Sequence, residues 1–335
     1  MTRLVCSAPG KALISGEYAV LRGAPAICMA VARRARVTVN AIAGSNCRVS
    51  APGFIEGEFE FSSADGKITW HQAAAAKDFG LLQAAWELVF AGGNEPPALA
   101  LELDTREFRD AATGAKLGLG SSAALAVAVV AALAEIAGRS DDALMLAHEA
   151  HAKFQRQQGS GVDVAASATG GLICYKTDTR LEPEPLEWPA GLNYRFVWTG
   201  RPVATTDKLQ QFAAVSDGVP ELAVLAEHAK SVADAFAAGA VNEVLAAVSH
   251  YARALQRFDA ASGLGIFANE HEWVSEAATR HGLCYKPCGA GGGDIGVVLY
   301  SAGASLETLE EDLQGSGVEL LPLRMDRAGP AIAKE

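Results

Sequence analysis

Apolar and polar positions alternate over residues 3–8 and 26–42, the second stretch with Val31, Val37 and Val39 set among small and basic residues, and a period of two predicts strands. Short turn-separated strands continue through 46–70. The period then changes. Over 79–91 apolar side chains recur at helical spacing until Gly92 and Gly93, which predicts an amphipathic helix. A strand at 99–103 and a polar loop at 107–116 lead into an almost wholly apolar run that stops at Gly138 and predicts a buried helix. Helices at 141–158 and 162–168 and a strand at 172–175 complete the first half.

Between 182 and 189 the chain sets Glu182, Pro183, Glu184, Pro185 and Pro189 close together. Prolines so spaced neither pair in a sheet nor sustain a helix, which predicts the connection between two domains, 1–188 and 189–335. A length of 335 residues also exceeds what one hydrophobic core usually serves. Beyond the connection the pattern gives a strand at 194–198, two long helices between 207 and 258, and a helix at 265–281. A strand at 296–300 follows a glycine-rich loop, and a helix at 306–313 and a strand at 318–323 end the series. That alternation has the split-βαβ form.

The buried helix has an unusual start. Residues 116–124, Lys-Leu-Gly-Leu-Gly-Ser-Ser-Ala-Ala, form a glycine-serine turn that opens directly into it. Gly118 and Gly120 let the backbone approach a ligand closely, Ser121 is placed to cap, and the remaining free amides with the helix dipole favour an anion, most naturally a phosphate. An ordinary capped helix start is the plain alternative. A dinucleotide fingerprint fits poorly, because a polar loop rather than a strand precedes the turn and no acidic residue stands about twenty positions later. A Walker-type loop fails as well, since Gly10-Lys11 is followed by Ala12 and preceded five positions earlier by Val5.

Composition narrows the partners. The net charge is −11 with no basic run, so nucleic acid and anionic membranes are not expected, and a small anionic substrate must rely on a few local cations. Aromatics make up only 7%, against 34 glycines, which suits tightly packed α/β layers. No apolar run reaches the ~18 residues of a membrane span and the N-terminal stretch has no long apolar core, so a soluble cytoplasmic protein is expected, monomeric or homodimeric. The cysteines at 6, 28, 47, 174, 284 and 288 have no paired C-x-x-C spacing and are expected as reduced thiols rather than a zinc site.

Three distant segments complete the picture: Ala8-Pro-Gly-Lys11-Ala-Leu-Ile-Ser-Gly16-Glu17-Tyr18-Ala-Val20, Gly118-Leu-Gly-Ser-Ser-Ala-Ala124 and Lys286-Pro-Cys-Gly-Ala-Gly-Gly-Gly-Asp-Ile-Gly296. In this order they resemble the GHMP kinases, the family of galactokinase, homoserine kinase, mevalonate kinase and phosphomevalonate kinase. The resemblance spans nearly the whole chain. It implies an α+β fold with a ribosomal-S5-like N-terminal domain and a ferredoxin-like C-terminal domain. It also implies ATP and Mg²⁺ as cofactors, with the ATP phosphates at Lys116, Gly118, Leu119, Gly120, Ser121, Ser122 and Ala123. Gly159-Ser160-Gly161-Val-Asp163-Val-Ala-Ala166, the Ala-His pairs ending at His148 and His151, and Trp198-Thr-Gly-Arg-Pro-Val-Ala-Thr-Thr206 are similar to the branch acting on phosphorylated mevalonate. A phosphorylated alcohol is therefore the implied substrate, with mevalonate or another small alcohol or sugar as alternatives. The fold also occurs in nucleotide-binding sensors without turnover. Two positions depart from the pattern. Ala152 stands where mevalonate kinases carry a metal-binding glutamate, which leaves a second magnesium ligand open, and Cys288 stands where a serine is common.

Phosphoryl transfer needs in-line positioning, cations for developing charge and modest help in deprotonating the acceptor. Asp163, in a glycine-flanked turn at a helix start, suits a base or positioning group, with helix capping as the alternative. Lys11, expected after a strand and a Pro-Gly turn, and Lys116, beside the phosphate turn, are the candidate cations. Ser122 is the candidate magnesium ligand. Ser160, Gly161, Thr205, Thr206, Gly291 and Gly292, together with Lys11 and Asp163, are the candidate substrate contacts, and Arg201 lies in the same polar loop as the threonines. His148 and His151 receive no role.

Overall fold

The computed structural model describes residues 3–335 except 93–94, 140–142, 157–158, 178–182, 204 and 216–217, with the backbone alone at 205 and 206. The larger sheet uses β1 (Leu4–Ser15), β2 (Ala26–Ala41), β3 (Cys47–Ala51), β4 (Ile55–Ala64), β5 (Lys67–Trp70), β6 (Leu99–Asp104), β7 (Leu172–Tyr175) and β8 (Glu184–Leu186). The helices α1 (Ala75–Asp78), α2 (Gly80–Val89), α3 (Ser121–Ala137), α4 (Ala143–Phe154) and α5 (Val162–Thr169) accompany it. The smaller half contains β9 (Leu192–Trp198), α6 (Thr205–Val215), α7 (Glu221–Ala238), α8 (Val241–Ser262) and α9 (Asn269–Arg280). It continues with β10 (Cys284–Pro287), β11 (Ile295–Ser301), α10 (Glu307–Leu313), β12 (Glu319–Leu321) and β13 (Ala331–Lys334).

The main path of the larger sheet runs β13-β1-β2-β6-β3-β4-β5, with β7 on the free end of β2 and β8 beyond it. α3 is apolar all round because it is enclosed: every residue from Ala126 to Ala134 is buried. Val127 and Val130 share a cluster with Val37, Val39, Leu99 and Leu101 of the sheet and Trp86 of α2. The smaller sheet, β10-β11-β9-β12, is antiparallel and covered on both faces. Phe196, Trp198, Ile295, Val297 and Leu299 face the side of α7 and α8, while Val197 and Val298 face α9 and α10. The alternation of one strand thus feeds two layers.

Several boundaries differ from the sequence reading. The turn expected at Pro9-Gly10 is absent, because β1 continues through it with only a register shift against β2 between Pro9 and Gly10. Glu184–Leu186 does pair, along β7; an edge strand tolerates Pro185 because its outward side needs no donor. Three helices rather than two occupy 205–262, and β10 and β13 escaped the pattern. β13 returns from the end of the chain to pair with β1, so residues 331–334, grouped by sequence with 189–335, lie in the first sheet. A single cluster joins Ile14, Ile27 and Met29 of β1 and β2 to Val232, Tyr251 and Leu255 of α7 and α8. The two halves therefore share a core. No helix among the described residues is long and apolar enough to cross a membrane.

Candidate active site

β1 and the start of α3 are tied together at Lys11, whose N–H donates to the carbonyl of Leu119 at 2.8 Å. Gly118 and Gly120 both sit at left-handed torsions, φ 76° and 75°. The space beside each is taken. A Cβ on Gly120 would meet Lys11 Cγ at 2.9 Å, and one on Gly118 would meet the side chain of Asp294 at 2.3 Å. The lysine stem thus runs across the turn, and its ammonium lies 3.7 Å from the Cβ position of Gly289. Lys11, itself in the first glycine-bearing segment, therefore lies against the other two.

Gly120 itself is the residue before α3, and no side chain caps the helix. The capping expected of Ser121 does not occur, because a glycine in the left-handed region already turns the chain into the helix. Its first amides remain for another acceptor. Leu119 and Ala123 are buried and offer only backbone. Ser122 Oγ lies 3.2 Å from Nε2 of His151, which is 2% exposed. On its other side, Nδ1 of the same ring is 3.9 Å from Oδ1 of Asp163. Asp163 is the second residue of α5, whose N-cap is Gly161 and which carries no side-chain cap. Its Oδ1 accepts the Val164 N–H at 2.9 Å. Ser160 lies just before, its carbonyl taking a hydrogen bond from Tyr175 Oη at 2.8 Å.

Two cavities flank the start of α3. One is lined by Lys11, Gly118, Ser160, Asp163, Gly289 and Asp294. The other, more apolar, is lined by Lys116, Ser121, Ser122, Phe54, Phe79 and Phe154. Lys11 and Asp163 share the first cavity without forming an ion pair. Gly291 and Gly292 line neither. Gly291 packs on Ile266 and the Gly292 N–H donates to the Ile266 carbonyl at 2.8 Å, so this part of the loop is anchored away from the cavity. The side chains of Thr205 and Thr206 lie outside the described residues.

Four groups that the sequence reading left without a role lie at or behind the site, two of them, Glu17 and Asp294, lining the first cavity. Glu17 and Lys286 are a fully buried ion pair at 2.5 Å. Tyr251 Oη donates to the other carboxylate oxygen at 2.7 Å, and the Gly289 N–H reaches Glu17 at 3.3 Å. Asp294 is a non-glycine residue at φ 58°. The Val203 N–H donates to its Oδ1 at 3.1 Å. Burial pushes its pKa up to about 6, against the lowering pull of that amide, Lys11 and Lys116. The fourth is His151. Their signals were present in the sequence, as a charge inside each apolar or glycine-rich motif and a histidine repeated at i and i+3. None of these signals names a partner. Cys288, in place of the common serine, is a buried thiol pushed up to about 11, inert as a nucleophile at neutral pH.

Residues 92–171 match the GHMP kinases N terminal domain. The chain is 30% identical over 364 residues to phosphomevalonate kinase of Streptomyces sp. strain CL190, covering 96% of each. It is 28% identical to mevalonate kinase of Pyrococcus horikoshii over 65% of this chain and 64% of that one. Among solved structures, Streptococcus pneumoniae phosphomevalonate kinase in complex with phosphomevalonate and AMPPNP superposes with a TM-score of 0.78 at 21% identity, over 96% of this chain and 99% of that one. The chain belongs to the GHMP kinase family, with that family's two-domain α+β fold. It is a phosphotransferase, and phosphomevalonate kinase is among the relatives that it matches over nearly its whole length.

Proposed function

We propose that the protein transfers the γ-phosphoryl group of ATP to 5-phosphomevalonate, giving 5-diphosphomevalonate and ADP for isoprenoid synthesis. The observation that carries this is the partition of the site: the start of α3 separates an apolar cavity bordered by Ser121, Ser122 and Lys116 from a polar one bordered by Lys11 and Asp163. The nucleotide occupies the first, its base against Phe54, Phe79 and Phe154 and its phosphates at the free amides of α3. The acceptor occupies the second.

Transfer proceeds by attack of an acceptor phosphate oxygen on the γ-phosphorus, with cleavage of its bond to the β,γ-bridging oxygen, whose electron pair leaves with ADP. A phosphate monoester has its second pKa near 6, so this acceptor is largely dianionic at neutral pH and needs little proton removal. Asp163 then serves chiefly to align the acceptor, and Lys11, lying between the phosphate turn and Gly289, neutralises charge on the group in transit. The Ser122 hydroxyl, a hard oxygen donor beside the free amides of α3, suits a magnesium ion that arrives with the nucleotide; phosphate oxygens and water would complete its shell. When bound, that ion neutralises phosphate charge.

A side-by-side measurement of ADP release with 5-phosphomevalonate and with mevalonate tests the acceptor. The phosphorylated compound is expected to turn over faster by tenfold or more. Faster turnover of mevalonate would overturn the assignment.

A further inference from the structure

His151 lines neither cavity, but its ring bridges Ser122, which borders one, and Asp163, which borders the other. It is 2% exposed and sits on α4 among the buried Leu146, Ala147 and Ala150, so the ring has little freedom to turn away. Its two nitrogens face different partners. A carboxylate 3.9 Å from Nδ1 favours the tautomer with the proton there, because a proton is attracted toward negative charge and a lone pair is repelled. Nε2 is then an acceptor, and 3.2 Å away the Ser122 hydroxyl is the group that can donate to it. A hydroxyl whose proton is committed to the ring leaves both oxygen lone pairs directed elsewhere.

We propose that His151 is a positioning residue for phosphoryl transfer: it fixes the Ser122 hydroxyl proton so that the oxygen presents its lone pairs on the nucleotide side, with its own tautomer set by Asp163. The chain Asp163–His151–Ser122 thereby links the acceptor side of the site to the nucleotide side. This rests on the kinase reading given above. Groups that orient a ligand through one intermediary typically change affinity or rate by about ten- to a hundredfold when removed, and that is the scale expected here.

The experiment compares wild type, His151→Gln, Ser122→Ala and the double variant, with His151→Asn as a second replacement should the glutamine variant fold poorly. Three quantities are read: kcat with 5-phosphomevalonate, affinity for the Mn²⁺ complex of a non-hydrolysable ATP analogue, and the melting temperature. In His151→Gln, kcat and Mn²⁺-nucleotide affinity are each expected to fall about tenfold or more, with KM for the acceptor and the melting temperature little changed. In the Ser122→Ala background the same histidine change is expected to cost less than about threefold, because the group through which it acts is gone. Equal losses in both backgrounds, unchanged kcat and affinity, or a loss explained wholly by unfolding would each overturn the proposal. Wild type without turnover on any acceptor would instead sink the kinase reading.

Discussion

The glycine-rich segments at 118–124 and 286–296 both border the candidate active site, yet different forces hold them. The first is mostly local: Gly118 and Gly120 turn the chain and α3 begins, with Lys11 and Asp294 packed against the two glycines from outside. The second is suspended from elsewhere. Tyr18 Oη donates to the Ala290 carbonyl at 2.6 Å, Glu17 receives Gly289, and the Ile266 carbonyl receives Gly292. His271 Nε2 lies 2.9 Å from the Gly293 carbonyl, while its Nδ1 pairs with Tyr285 Oη at 2.6 Å. Since a carbonyl only accepts, Nε2 carries the proton and the tyrosine donates to Nδ1. A turn built from its own residues can be recognised in one dimension. A turn built from its neighbours' side chains cannot, and its shape should fail when those distant groups are changed.

The comparison breaks first on chemistry. Asp163→Asn removes a carboxylate from the cavity proposed for the acceptor without disturbing either turn, so kcat is expected to fall by about 10²-fold, as for a lost alignment contact, with the melting temperature nearly intact. Near-normal kcat with an early melt would make Asp163 a structural residue.

Lys286→Met attacks the suspended turn from beneath. It leaves Glu17 buried without its cation, and removing one partner of a buried pair costs about 3–5 kcal/mol. Denaturant unfolding should register that loss. A cost below about 1 kcal/mol would mean that Tyr251 and Gly289 alone can satisfy Glu17.

Gly118→Ala strains the local turn. The left-handed torsion costs about 1–2 kcal/mol for a residue with a Cβ, and the new methyl meets Asp294. KM for ATP should rise several-fold more than KM for the acceptor; the reverse order would move the nucleotide phosphates away from this turn.

A further effect concerns pH. Asp294 in the folded protein has its pKa raised to about 6, above the ordinary 3.8, so between these values the folded state binds more protons and stability falls as pH rises. His271, lowered by burial to about 4, binds fewer protons folded and contributes the opposite slope up to about 6.5. Asp294→Asn removes only the first contribution. Its melting temperature relative to wild type should therefore climb between pH 4 and 6 and then level off. A flat difference would contradict the burial of this carboxyl.

The sequence made the local features legible. The buried helix, its glycine-serine turn and most strands of both halves could be read because each rests on periodicity or a contiguous motif. Lys11 and Asp163 were grouped only through the family resemblance, and Gly118, read with the nucleotide, lines the same cavity as they do. The strand β13 could not, since four exposed residues after a long irregular stretch carry no signal of the β1 edge that they pair with. Nor could the burial of Lys286. A lysine in a strand reads as a surface residue until Glu17, 269 positions away, supplies its charge. Gly291 and Gly292 looked like ligand contacts for a related reason: glycine signals close approach, but here what approaches is the backbone of Ile266.

The account stands on transfer of phosphate to phosphate across the start of α3, and ³¹P NMR of the reaction observes that bond directly. Incubation of the protein with Mg-ATP and 5-phosphomevalonate should convert the acceptor's single phosphomonoester resonance into the two coupled resonances of a diphosphate ester while ADP accumulates. Release of inorganic phosphate alone, or an acceptor resonance that stays a singlet while ATP is consumed, would contradict it.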